Sequence, residues 1–191
     1  MAILHGNAEI TPTKPELLAT WLPTQPWFTG DASALQQVGS YRFDDPDGEV
    51  GMETHLVRAG DGPIFQVPWT YRGAPIDGAD AFLVGTMDHT DLGARWVYHA
   101  IGDPVYQSVL ATTILTGGTQ AELVREFADG RTESVEPSVR VKGSGTSTDV
   151  PPVDLEVLKV LDGTTPEGDE VLTGTWAGAA EPVVLAVARL R

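Results

Sequence analysis

The chain has no cysteine, and that one absence removes a disulfide framework, thiolate metal sites and cysteine nucleophiles together. Basic residues are scarce. Lys and Arg number 12 against 27 Asp and Glu, for a formal charge of −15. A field of that sign repels phosphate backbones and anionic lipid surfaces, so nucleic acid and membrane are excluded as partners at this stage. Long apolar runs are missing too, and nothing approaches the roughly 18 to 20 residues of a membrane span. The first residues, MAILHGNAEITPTKPE, lack a basic segment followed by an apolar one, so no secretory signal is read and a cytoplasmic protein is expected. What remains is ample for a core: 41% of 191 residues are apolar, enough for one domain or one domain with an extension.

Punctuation along the chain is clear. Thr13 and Glu16 form a capping box with Pro15 in the first turn, and Leu17, Leu18, Trp21 and Leu22 then share a helical face until Pro23 and Pro26 stop it. Three strands follow, in SYRFDD, EVGMETHLVRA and IFQVPWTYR, separated by Asp45-Pro46-Asp47-Gly48 and Asp61-Gly62-Pro63 turns. Val50, Met52, Thr54 and Leu56 alternate with more polar neighbours, the pattern of a half-buried strand. An antiparallel meander packed on the first helix is expected. The run Ala81–Val84 and the segment ARWVYHAIG suggest further strands. DPVYQSVLATTILTGG reads as a second helix, capped by Asp103 and stopped at Gly117, with Val105, Val109, Leu110 and Ile114 on its apolar stripe. Beyond Gly118, AELVREF and SVEPSVRVKG are expected to pair across an Asp129-Gly130 turn. GSGTSTDVPP (143–152) is the best linker or long-loop candidate, and three strands follow in DLEVLKVL, EVLTGTWAG and PVVLAVARLR. The fold class is α+β, with residues 1–117 as one unit and 118–191 as a β-rich extension that can pack into the same domain.

The stretch DHTDLGARW contains His89-Thr90-Asp91-Leu92, which resembles the H-x-D-L opening of a sugar-kinase catalytic loop. Phosphotransfer needs an Asn about five residues after the Asp to hold Mg²⁺, and Trp96 stands there. A metal-binding Asp segment downstream, a phosphate-cradling Gly-rich loop with its lysine and a G-x-S-x-G elbow are all absent from the sequence. The His-x-Asp therefore reads as a turn. The four histidines, His5, His55, His89 and His99, show no metal-binding spacing, although His89, Asp91 and His99 could converge if the chain folded back. Asp44, Asp45, Asp47 and Glu49 are Ca²⁺-type ligands, but a hairpin turn accounts for them without metal. No cofactor is expected and no catalytic residue is assigned.

The aromatics supply the binding candidates. Trp69 and Tyr71 share one strand face, and Trp96 and Tyr98 share another. Packing on a helix is the plainer role for both pairs. Placed side by side, they could instead anchor an interface or form a flat platform for a sugar. Arg72 and Arg95 lie beside the two pairs and are expected to contribute together to an interaction face.

The surrounding segment, VPWTYRGAPIDGADAFLVGTMDHTDLGARWVYHAIGDPVY, resembles the N-terminal cap domain of actinobacterial maltokinases. The resemblance rests on Val67-Pro68, Tyr71-Arg72, Ala74-Pro75, Gly85-Thr86, His89, Leu92-Gly93, Arg95-Trp96-Val97-Tyr98 and Asp103-Pro104-Val105-Tyr106. Trp27-Phe28 and Gly30 are similar to a further box of that family, from which Asp31 departs where a basic residue is usual. The likeness spans roughly residues 10 to 117 and does not reach the kinase lobes. It implies a cystatin-like curved antiparallel sheet wrapped round a helix, in a cap-like module without catalytic groups. It also implies a protein partner, a kinase or another enzyme of α-glucan and trehalose metabolism. The alternative is a small-ligand protein that takes a sugar or nucleotide on the concave face. Exposed strand edges leave a homodimer open.

Overall fold

The computed structural model describes residues 2–5, 8–127 and 130–191. Strand β1 (Ala2–His5) and the short β2 (Ile10–Thr11) precede helix α1 (Lys14–Trp21). Both halves of the capping box form: the Thr13 hydroxyl accepts from the Glu16 amide, and the Glu16 carboxylate accepts from the Thr13 amide at 2.7 Å. Strands β3 (Leu35–Phe43), β4 (Gly51–Ala59) and β5 (Ile64–Arg72) make the expected antiparallel meander. The first turn is tied by Asp45, whose carboxylate accepts from the amides of Asp47, Glu49 and Val50, with Gly48 at φ +73°. Strands β6 (Leu83–His89) and β7 (Gly93–His99) form an outer hairpin. Ala81 and Phe82 stand in a one-turn helical segment before β6, so the strand begins two residues later than the apolar run suggests. Helix α2 (Pro104–Leu115) follows.

The sheet order is β2-β6-β7-β5-β4-β3, curled into an antiparallel half-barrel. Cores form on both of its faces. On one, Leu17, Leu18 and Leu22 from the α1 region pack against Val57, Phe65, Val67, Trp69, Met87 and Val97. On the other, Tyr106, Leu110 and Ile114 of α2 pack against Tyr41, Phe43, Met52 and Leu56. Burial of each such side chain contributes roughly 1.5 to 3 kcal/mol. The reading of β4 as half-buried is corrected: every residue from Met52 to Val57 is buried. A helix covers each side, so the polar alternates Glu53 and His55 also lie inside.

The C-terminal residues do not stand apart. β8 (Leu123–Glu126) pairs with β9 (Thr132–Val135) and, in parallel, with β1. The pairing of AELVREF with SVEPSVRVKG holds only as far as Val135. After Pro137 the chain enters β10 (Val139–Gly143), which belongs to a different sheet. Asp129 of the expected turn lies outside the described residues. Strands β11 (Val153–Val157), β12 (Val160–Leu161), β13 (Glu170–Trp176) and β14 (Val183–Leu190) complete the chain. β10 and three of these strands form a sheet in the order β10-β13-β14-β11, whose Val139, Val141, Leu172 and Leu185 enter the same cluster as Tyr41 and Tyr106. β12 adds to β5 of the half-barrel. The Gln66 side chain on β5 donates to the carbonyls of Leu158 and Leu185, both at 2.8 Å, and accepts from the Tyr41 hydroxyl at 3.1 Å.

The segment read as a linker or long loop is a loop beyond Gly143, and it is anchored at its start. The Gly145 amide donates to the Ile114 carbonyl and the Ser147 amide to the Leu115 carbonyl, so residues 143–147 satisfy the C-terminal carbonyls of α2. A Cβ at Gly143 would lie 2.0 Å from the Thr113 carbonyl oxygen, and one at Gly145 would lie 2.1 Å from that of Leu115. The glycines are there for close approach to the end of α2.

Candidate functional site

Strand order sets up a cleft at one end of the half-barrel. There the β3–β4 turn and the β6–β7 turn stand on either side of the C-terminal end of β5, with the first residue of α1 above them. The cleft has a volume of about 460 Å³. Lys14, Arg42 and Tyr71 form its floor, Met87, Leu92 and Arg95 one wall, and Asp44, Asp45 and Glu49 the other.

Beneath the floor lies a buried polar network that the sequence reading missed. Glu53 is 7% exposed, and its Oε2 accepts from Lys14 Nζ at 2.5 Å, from Arg42 Nη2 at 2.9 Å and from the Tyr71 hydroxyl at 3.3 Å. His55 Nε2 lies 3.2 Å from the Tyr71 oxygen. The phenol's one proton goes to Glu53, so neutral His55 donates through Nε2, and its Nδ1 is left buried without a partner among the described residues. Burial alone would push the Glu53 carboxyl up, but the charges of His55 (once protonated in acid), Arg42 and Lys14 together hold it well below the usual carboxylate range. Burial drives His55 down to about 4 against the opposing pull of Glu53, and drives the Tyr71 phenol well up. Desolvation also lowers Lys14, with Glu53 countering it. A carboxylate held ionised by three donors takes no proton near neutral pH. The network thus orients cations at a cleft floor and is unsuited to general base chemistry. Its sequence signal was the run of charged positions Arg42, Glu53 and His55 on alternate sites of the meander, facing one side.

The expected site residues divide between the two faces. Cross-strand register sets Trp69 opposite His99 and Tyr71 opposite Val97, facing α1, while Thr70 opposes Tyr98 and Arg72 opposes Trp96 on the other face. The two aromatic pairs therefore form no common platform. Trp69 and Tyr98 are buried, and Tyr71 and Trp96 are half-buried. Arg72 and Arg95 are parted in the same way, so they do not share an interaction face. Arg72 grips Asp103 at the start of α2. Arg95 lines the cleft and makes no hydrogen bond or ion pair among the described residues, its guanidinium lying against Gly73.

His89 and Asp91 lie in the β6–β7 hairpin turn, where His89 Nδ1 accepts from the amides of Asp91 and Leu92 and Thr90 exchanges hydrogen bonds with Glu9. The His-x-Asp resemblance is a turn device. His99 stands at the far end of β7 from that turn, and among the described residues no three His, Asp or Glu side chains gather to hold a metal. No helix among them is long and apolar enough to cross a membrane.

No curated protein matches the chain. Residues 21–103, which run from the end of α1 through the whole meander and outer hairpin to the cap of α2, match the family model of the maltokinase N-terminal cap domain, and this part of the chain is similar to that family.

Proposed function

We propose that the chain is a non-catalytic cap-like module that docks on a kinase or another enzyme of α-glucan and trehalose metabolism. The cap-domain match over residues 21–103 carries this reading. A docking module needs a contact surface. The outer hairpin offers one. Leu83 is 38% and Leu92 45% exposed, and the half-buried Trp96 shares with Leu83 the face turned away from α1. The network around Glu53 favours no proton transfer, in keeping with a module that contributes contact and leaves chemistry to its partner.

The test uses the full chain and a purified maltose-phosphorylating kinase, followed by calorimetric titration and by an ATP-and-maltose turnover assay of the chain alone. A stoichiometric complex weakened by Leu83→Ala/Trp96→Ala, with no turnover by the isolated chain, supports the module. Turnover by the chain alone makes it an enzyme and ends the proposal, as does failure to bind this kinase or any glucan enzyme recovered from the source extract.

A further inference from the structure

The cleft at the end of the half-barrel has a chemistry that docking does not use. Its volume of about 460 Å³ falls in the range of small-molecule pockets, roughly 300 to 1,000 Å³. Its donors are Lys14, Arg42 and Arg95, three of the chain's 12 basic residues brought to one place in a protein of charge −15. Its acceptors are the carboxylates of the opposite wall. Asp45 spends both oxygens on the amides of its own turn, and Asp44 and Glu49 flank it.

Each simple ligand class meets an obstacle here. A phosphorylated or carboxylated ligand would face three carboxylates and the field of the whole chain. A cation would face Arg95, Lys14 and Arg42. A purely apolar molecule would bury the unpaired Arg95 guanidinium without a hydrogen bond, a costly desolvation. A neutral molecule rich in hydroxyl groups meets none of these. Every hydroxyl both donates and accepts, so it can bridge a guanidinium on one wall and a carboxylate on the other. Tyr71, Met87 and Leu92 supply apolar surface for the C–H faces of a ring. We propose that this cleft binds a neutral sugar of one or two rings, with Arg95 as its principal hydrogen-bond donor. The floor is ready-made: Glu53 holds Lys14 and Arg42 in place before any ligand arrives. The cleft adjoins the docking surface at Leu92 but shares neither Leu83 nor Trp96 with it, and it stands whether or not a partner enzyme binds.

The experiment follows the amide spectrum of the ¹⁵N-labelled full chain during titration with glucose, maltose, glucose 6-phosphate and inorganic phosphate, to tens of millimolar. The expected result is saturable shifts with glucose or maltose at Gly51, Leu92 and Ala94 and at the Arg95 Nε–H. Loss of one charge-assisted hydrogen bond should weaken that binding about tenfold or more in Arg95→Ala. Because Arg95 makes no hydrogen bond or ion pair among the described residues, the variant should melt with the parent, which keeps the comparison interpretable. Glu49→Ala gives a second reading from the acidic wall and should weaken binding in the same direction. Shifts with phosphate or glucose 6-phosphate but neither neutral sugar would overturn the ligand class. Shifts confined to other residues, or unchanged affinity in folded Arg95→Ala, would overturn the site, and so would no saturable shift with any of the four.

Discussion

Arg72 on β5 holds Asp103, the N-cap of α2, in a two-pronged grip, with Nε at 2.7 Å from one carboxylate oxygen and Nη2 at 2.6 Å from the other. Asp103 is fully buried, and the oxygen that receives Nη2 also accepts from the Val105 amide at 2.9 Å. Burial works against its charge, but Arg72 and the backbone donor hold the carboxyl below its ordinary value. One carboxylate thereby starts a helix and fastens it to the sheet. It also explains why the Arg72 guanidinium is committed to structure.

Arg72→Ala strands that carboxylate and should cost about 3 kcal/mol, the scale for breaking a buried pair from one side. In a chain of this size each kcal/mol moves the midpoint by roughly 2 to 4 °C, so thermal unfolding should occur about 6 to 12 °C lower. Arg72→Lys should recover only part of the loss, since an ammonium cannot reproduce the fork. Asp103→Asn keeps the capping oxygen and removes the stranded charge, and should melt above Arg72→Ala. If Arg72→Ala melts with the parent, the grip contributes nothing.

Acid should unfold the protein through its histidines. His55 and His99 are both buried, and burial lowers each to about 4 from an ordinary 6.5. The native state then binds fewer protons than the unfolded chain between those values, so stability is complete above about pH 6.5 and falls as pH drops toward 4. Each shift corresponds to about 3 kcal/mol at most, a large share of the roughly 5 to 15 kcal/mol that holds a domain together. Ionised Glu53, whose own value is depressed, adds loss in the same direction below the ordinary carboxylate range. Urea midpoints should be level from about pH 8 to 7 and decline steeply below 6. His99→Phe, which removes one proton site beside the Trp21 ring, should flatten that decline. A midpoint independent of pH down to 4 would contradict the buried neutral histidines.

Helix caps, the meander and the last two strands were legible in the sequence because each is a local signal, whereas DLEVLKVL, read as one strand, breaks at Leu158 and Lys159 into β11 and β12 on different sheets. The Thr13–Glu16 box, the Asp103 cap and the Asp45 turn all formed where read. The cleft was not legible, because Lys14, Arg42, Glu53 and Tyr71 come from four separate elements and meet only through register. The aromatic pairs show the same limit. Period two placed Trp69 with Tyr71 and Trp96 with Tyr98 correctly, yet which pair faces which side depends on how β7 pairs with β5. Residues 144–152 do form a loop, but its anchoring on the end of α2 was not legible, because glycine signals an open turn and close packing with the same letter.

Gly143→Ala tests that last point. Its new methyl would meet the Thr113 and Ile114 carbonyls at the end of α2, backbone atoms that cannot swing aside. Overpacking of this kind costs roughly 1 to 3 kcal/mol, and more where backbone must move. The variant should unfold at clearly lower urea, whereas Gly48→Ala, with open space around its Cβ but φ at +73°, should cost only about 1 kcal/mol. Equal midpoints for the two would mean that the 143–147 segment does not pack on α2.

The opposite placement of the two tryptophans gives a test with contrasting outcomes. Trp69 is fully buried beneath α1 and touches His55, so Trp69→Ala should cost about 3 to 5 kcal/mol and lower the melting midpoint by ~10 °C or more. Its indole N–H has no partner among the described residues, so Trp69→Phe removes an unsatisfied donor along with some volume and should be milder. Trp96 is half-buried on the outer hairpin face, and Trp96→Ala should shift the midpoint by only a few degrees. Partner binding should follow the reverse order. Folded Trp69→Phe should bind like the parent, because its ring lies inside, while Trp96→Ala should lose affinity if the outer face is the contact. Binding lost in Trp69→Phe and retained in Trp96→Ala would move the interaction surface to the α1 side of the sheet.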